Sequence, residues 1–243
     1  MEELLKNLEK YRIAENYKAS NIIFPIKYKG EKYIVKKPRK LSSIINTYYA
    51  FQGKFFYKDR KLSSGTKAIQ QEIKKLSQLQ GFSAPKLEAY TDRLLVKEFI
   101  EGTSLRDCNC VYTHISFLEQ ALVAMEEIHN VDVVIGDTNV KNVIKGNKGF
   151  YWIDFDGVFD ETDLVKSKAL DVLKMVYSTY LFTKNKIITE YAAVTIRNYE
   201  NKEVKTKILE LVNPGLSNLS AWFSTRVNKK LNQNIKDILK MVC

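Results

Sequence analysis

Residues 134–157 read VIGDTNVKNVIKGNKGFYWIDFDG, and the order of polar residues within this stretch decides the fold. Asp137 and Asn142 stand five apart between apolar runs, and Asp154 follows twelve residues after Asn142, at the end of Trp-Ile-Asp. Gly146 and Gly149 punctuate a turn between the two acidic clusters, so the stretch reads as a loop, a tight hairpin and a second loop. Phosphoryl transfer from ATP needs a carboxylate that orients and accepts the proton of an incoming hydroxyl. It also needs oxygen ligands that hold magnesium against the phosphates. Asp137 suits the first task, and Asn142 with Asp154 the second. Asp156, two residues further on, either adds a ligand or caps the turn.

The surrounding chain divides into a strand-rich front and a helix-rich remainder. Residues 2–12 suggest a short amphipathic helix, and NIIFPIKYKGEKYIVKK suggests two strands turning at Lys29-Gly30. TKAIQQEIKKLSQLQ places Ile69, Ile73, Leu76 and Leu79 at helical spacing, with Gly81 as its stop. Ala89 to Ile100 reads as a strand pair turning at Thr91-Asp92, followed by a break at Glu101-Gly102. Beyond it SFLEQALVAMEEIHN has a helical period, VDVVI and GFYWIDF read as short strands, and most of 164–183 and 186–240 reads as helix, interrupted at Pro214-Gly215. The expected fold class is α+β in two lobes, a small antiparallel-sheet N-lobe over 1–101 and a helical C-lobe over 102–243.

Asp-x-x-x-x-Asn followed by an apolar residue and Ile-Asp-Phe resembles the catalytic and metal loops of the protein kinases. The other kinase motifs follow in the same order, and the resemblance covers roughly residues 20–180. IVKKP resembles the strand whose lysine contacts the α- and β-phosphates. It implies Lys36 in that role, since Tyr33-Ile34-Val35 precede it, with Lys37 on the opposite face as the alternative. QQEIKKLSQL resembles the helix bearing the ion-pair partner of that lysine, which implies Glu72. LLVKEFIEGTSLRD resembles the hinge, so that Glu98, Phe99 and Ile100 would offer backbone groups to adenine, with Lys97 at the gatekeeper position. Asp137 is then the catalytic carboxylate and Asn142 and Asp154 the Mg²⁺ ligands, with ATP as phosphoryl donor.

The departures narrow the family. Ile135 and Gly136 stand where protein kinases carry histidine and arginine, no Ala-Pro-Glu appears, and about a dozen residues separate Asp154 from the helix near Lys166. A switch by loop phosphorylation is therefore not expected. No glycine lies in RIAENYKASN, where a glycine-rich loop is expected, so cover for the phosphates would come from small residues such as Ala19 and Ser20. Gly-Asp-x-x-x-x-Asn, Ile-Asp and a basic insertion after the phosphate lysine are similar to the lipopolysaccharide core sugar kinases, which act on heptose and Kdo. That resemblance implies a phosphotransferase with an alcohol acceptor. A more distant resemblance, through SKALDVLKMVYS, is to the small atypical protein kinases of tRNA threonylcarbamoylation, which usually carry His-Gly-Asp. A pseudokinase or nucleic-acid-binding module is the third alternative, disfavoured by the joint presence of Lys36, Glu72, Asp137, Asn142 and Asp154.

Composition bears on the acceptor. The 243 residues carry 39 lysines and arginines against 28 acids, a net +11. Between Lys27 and Lys61 eleven basic residues face only Glu31 and Asp59. In PRKLSSIINTYYAFQGKFFYKDRK, Tyr48, Tyr49, Phe51, Phe55, Phe56 and Tyr57 interleave with Lys54, Lys58, Arg60 and Lys61, a composition that suits an anionic headgroup layer. The expected partner is an anionic, lipid-linked glycan at the inner membrane; tRNA would suit the second reading. Trp222 and Phe223, amid Arg226, Lys229 and Lys230, are expected to finish the C-lobe. Three cysteines, Cys108, Cys110 and Cys243, few and odd in number, argue against a disulfide framework, and with no apolar run of membrane length and no visible signal peptide a cytoplasmic, at most peripheral, location is expected.

Overall fold

A computed structural model describes residues 2–17, 19, 21–39, 65–108, 111–157, 162–212 and 229–243. Strands β1 (Ile22–Tyr28) and β2 (Glu31–Lys37) form the expected hairpin. Lys29 and Gly30 both take positive φ, 51° and 90°, the two-residue turn that matches strand twist. Helix α2 (Thr66–Gln78) follows, after α1 (Glu2–Lys6) at the N-terminus, then β3 (Leu87–Thr91) and β4 (Leu94–Glu98). The four strands make one antiparallel sheet in the order β1-β2-β4-β3. The β3–β4 turn falls at Asp92-Arg93, one residue later than Thr91-Asp92.

The period of two along β2 sends Val35 and Lys36 to opposite faces. Val35 enters a small core with Leu4, Leu8, Phe24, Ile26 and Val96, on the side covered by the N-terminal segment. That segment is not one helix over 2–12: it leaves α-geometry at Asn7 and resumes as a 3-10 turn over Leu8–Tyr11, with Leu4 and Leu8 both buried. Lys36 lies on the other face, towards α2.

A second antiparallel sheet joins β5 (Gly102–Ser104), β6 (Val143–Gly146) and β7 (Gly149–Trp152). Helix α3 (Val111–His129) packs behind it, where Trp152 Nε1 donates to the Ala121 carbonyl at 3.0 Å. The tail is helical: α4 (Leu164–Thr183), α5 (Lys186–Thr195), α6 (Lys202–Val212) and α7 (Lys229–Val242). The stretch expected to be helical from 186 onwards breaks near Tyr199, and Pro214-Gly215 lies outside the described residues. Leu118, Met125, Ile135, Trp152, Leu173, Ile208 and Leu239 share one large core with Leu76 of α2 and Leu79 just past its end, so α2 packs against the helical part as well as the sheet.

VDVVI is not a strand. Val133 and Ile135 are buried, but Asp132 turns at φ 59°, and the amides of Ile135 and Gly136 bond to a side chain of α4 in place of a neighbouring strand. The expected fold class, α+β with a small antiparallel sheet ahead of a helical remainder, is the observed one. Among the described residues no helix is long and apolar enough to cross a membrane.

Candidate active site

Lys36 is 1% exposed and its ammonium is ringed by acids. Nζ donates to Glu72 Oε2 at 2.6 Å, Asp154 Oδ1 at 2.9 Å and Asp156 Oδ2 at 2.9 Å. Burial by itself favours the neutral amine, yet Asp154, Asp156 and Glu72 raise its proton affinity well above the ordinary lysine value, so it stays an ammonium. Lys37 points to the other face, where it donates to the exposed Glu9 at 2.9 Å.

Glu72 sits on the buried stripe of α2 with Ile69 and Leu76. It is wholly buried and serves two lysines, Lys36 through Oε2 and Lys97 of β4 through Oε1. Lys97 also donates to the Ile153 carbonyl at 2.6 Å, next to Asp154. The polar residue at the gatekeeper position is thus a second cation for Glu72, a role no local pattern announced, because a lysine inside LLVKE carries no sign of its distant partner.

Asp154 and Asp156 present a different face. Burial raises the Asp154 carboxyl, and Lys36 and then Lys97 overcome this and hold it at about 2. Asp156 is pushed up, by burial and then by the charge of Asp154, against the pull of Lys36. Asn21 Nδ2 reaches Asp156 Oδ2 at 3.4 Å.

The loop carrying Asp137 is held from behind by α4. Asp171, wholly buried, accepts from the amides of Ile135 at 2.7 Å and Gly136 at 2.9 Å, and approaches His129 Nε2 at 3.2 Å; His129 Nδ1 meets the Tyr199 hydroxyl at 2.7 Å. From α2, Lys75 Nζ donates to the carbonyls of Ile135 at 3.2 Å and Gly157 at 2.7 Å, tying the two loops together. Gly136 has φ 86°, and a Cβ there would run into the Gly157 carbonyl; a Cβ at Gly157 would meet Gly136 in turn. The position where protein kinases carry arginine has no room for any side chain.

Asp137 Oδ1 accepts from Asn139 Nδ2 at 2.6 Å and from Lys174 Nζ, while Oδ2 accepts from Asn142 Nδ2 at 2.9 Å. Asn142 Nδ2 also donates to the Asp137 carbonyl at 2.9 Å, an orientation that turns its Oδ1 away from Asp137, with no hydrogen-bond partner for it among the described residues. Lys75, Asp171 and Lys174 were not among the residues singled out from sequence. Asp171 and Lys174 are polar residues on a largely apolar helix and Lys75 is one of several lysines on an amphipathic one, signals whose meaning is visible only once the partners are known.

A divalent cation fits this donor set. Asp154, Asp156 and Glu72 offer oxygens within 4.8 Å of one another. Both Glu72 oxygens are committed to lysines, whereas the side chains of Asp154 and Asp156 are 28% and 21% exposed, so these two acids are the accessible ones. Carboxylate and amide oxygens suit a hard ion such as Mg²⁺. In the stretch expected to be the hinge, the Glu98 amide donates to the Lys86 carbonyl at 2.9 Å and the Phe99 amide to that of Lys32 at 3.3 Å. Of the three residues expected to meet adenine, two have amides spent within the protein, and only the Ile100 amide has no partner among the described residues. Ser20, the aromatic-basic residues from Tyr48 to Lys61, and Trp222, Phe223 and Arg226 lie outside the described residues.

Neither a family model nor a curated relative matches the sequence. Among solved structures, the chain is similar to that of WaaP in complex with acyl carrier protein, at 13% identity and a TM-score of 0.53, covering 91% of this chain and 90% of that one. The likeness is one of fold and extends over both the sheet and the helical part. It agrees with the resemblance to lipopolysaccharide core kinases drawn from the motifs.

Proposed function

We propose that the chain is an ATP-dependent kinase that transfers the γ-phosphoryl group to a sugar hydroxyl of a lipid-linked glycan such as the lipopolysaccharide core. The observation that carries this reading is the network of Lys36 with Glu72, Asp154 and Asp156 on a loop bonded directly to the one that carries Asp137 and Asn142, through the Ile153 amide on the Asn142 carbonyl at 2.9 Å and through Lys75 on the carbonyls of Ile135 and Gly157. A binding module has no use for a buried ammonium inside three carboxylates, which is costly unless a function retains it.

In this reading residues 1–101 form the lobe that holds the nucleotide and 102–243 the lobe that holds the acceptor. Lys36, fixed by Glu72, binds the α- and β-phosphates, and the Ile100 amide meets adenine. Asp154, Asn142 and Asp156 would hold Mg²⁺, which when bound neutralises charge on the phosphates. Asp137 orients the acceptor hydroxyl. As the acceptor oxygen bonds to the γ-phosphorus, the bond to ADP breaks and the hydroxyl proton passes to Asp137. Catalysis is mainly positioning and charge neutralisation.

A sugar acceptor is favoured over a regulated protein substrate by Gly136, which excludes an arginine on steric grounds, and by the short connection from Asp154 to α4. The fold likeness to WaaP supports a kinase role. The basic, aromatic segment of residues 38–61 would provide a peripheral contact with anionic lipid. The test is phosphate transfer from ATP screened against glycolipid, small-sugar and protein acceptors. Transfer to core glycolipid is expected, and transfer confined to protein would replace this reading with that of an atypical protein kinase.

A further inference from the structure

Helix α4 carries three polar residues on one stripe, Asp171, Lys174 and Ser178, all turned to the loop of residues 135–140. Asp171 accepts from two backbone amides of that loop, and Ser178 Oγ accepts from the Val140 amide at 3.1 Å. These two hold backbone. Lys174 differs: its Nζ donates to the Gly136 carbonyl at 3.2 Å and also to the carboxylate of Asp137. The ion pair is largely withdrawn from water, with the Lys174 side chain 12% and that of Asp137 15% exposed.

The consequence lies in how many acceptor sites Asp137 has left. A carboxylate offers about four lone-pair sites, two on each oxygen. Asn139 and Lys174 fill both on Oδ1, and Asn142 fills one on Oδ2. One site remains, on Oδ2, the oxygen on the Asn142 side.

We propose that Lys174 is a positioning residue for phosphoryl transfer: it closes Oδ1 of Asp137, so that the acceptor hydroxyl donates to Oδ2 alone, and keeps a positive charge beside the carboxylate that receives the proton. The inference rests on the kinase reading and deepens it. With Lys174 in place the acceptor oxygen has a single seat, next to the residue expected to hold metal. Without it, Oδ1 opens and either a misplaced hydroxyl or a water can dock there. A displacement of about 1 Å at a reacting centre costs on the order of 10²-fold in rate, which sets the scale expected.

The test compares wild type, Lys174→Met, Lys174→Gln and Lys174→Arg with MgATP and deacylated lipopolysaccharide core oligosaccharide, following both ADP release and phosphate on the acceptor. The uncharged variants are expected to lose about 10²-fold in kcat for transfer with KM for MgATP unchanged, and to release more ADP per phosphate transferred. Lys174→Arg, which restores charge and a donor, should recover most of kcat and of the coupling. Wild-type kcat and coupling in either uncharged variant would overturn the proposal, as would equal losses in all three with a parallel loss of MgATP binding, the mark of a purely structural residue. A wild-type protein that consumes no ATP would instead sink the kinase reading, and this inference with it.

Discussion

Replacing Glu72 with glutamine removes the one charge shared by two buried lysines. Lys36 keeps Asp154 and Asp156 at 2.9 Å, but Lys97, 5% exposed, loses its carboxylate hydrogen-bond partner and keeps the Ile153 carbonyl and the more distant charge of Asp154. Breaking a buried ion pair from one side costs roughly 3–5 kcal/mol, because the surviving charge stays desolvated. For a chain of this size each kcal/mol lowers Tm by about 2–4 °C, so a fall of roughly 6–20 °C is expected. Lys97→Met alone should cost less, since Glu72 retains Lys36. The double variant should recover about 1–3 kcal/mol relative to the sum of the single changes, as coupled neighbours do. Urea unfolding of the four proteins in metal-free buffer measures the cycle. Glu9→Ala is the control: its bond to Lys37 joins side chains 61% and 33% exposed and should be worth about 0–1 kcal/mol. A Glu72→Gln cost below about 1 kcal/mol, or strict additivity with Lys97→Met, would refute the shared-carboxylate arrangement.

Three further outcomes follow from the same geometry. Gly30→Ala, at φ 90° with nothing within 4 Å of a new Cβ, should cost about 1–2 kcal/mol for the backbone alone; Gly136→Ala must also part the two loops, and thermal melts with a transfer assay should show loss of both stability and activity. Asp154 has its folded value depressed to about 2, so its contribution is present above the ordinary carboxylate range and lost as pH falls towards 2, a difference of about 2 kcal/mol that should flatten in acid titrations of Asp154→Asn. Asp156 is shifted the opposite way, so its charged form opposes folding above that range; Asp156→Asn should raise Tm at neutral pH in EDTA and reduce the gain that added MgCl₂ gives. An unchanged Tm and an unchanged response to MgCl₂ would contradict that reading of Asp156.

Placements that depend on local geometry were legible in the sequence. Strand alternation distinguishes Lys36 from Lys37, and Lys29-Gly30 announces its own turn. The order of Asp137, Asn142 and Asp154 around a hairpin could be read because the intervening chain is short. Long-range partners could not: Lys97 meets Glu72, Lys174 meets Asp137 and Lys75 meets Gly157 across 25, 37 and 82 residues. VDVVI misled because burial and β-branching suit a strand, whereas its backbone is satisfied by the Asp171 carboxylate. Gly136 was read as an absent arginine, and only the approach of Gly157 shows why glycine is required.

The central claim is that Asp137 and Asp154 serve one phosphoryl transfer. It is tested most directly by following labelled γ-phosphate from ATP onto core glycolipid with wild type, Asp137→Asn and Asp154→Ala. The account predicts transfer by wild type and background levels for both variants, each still folded in thermal melts. Wild-type turnover by Asp154→Ala on every acceptor would contradict it.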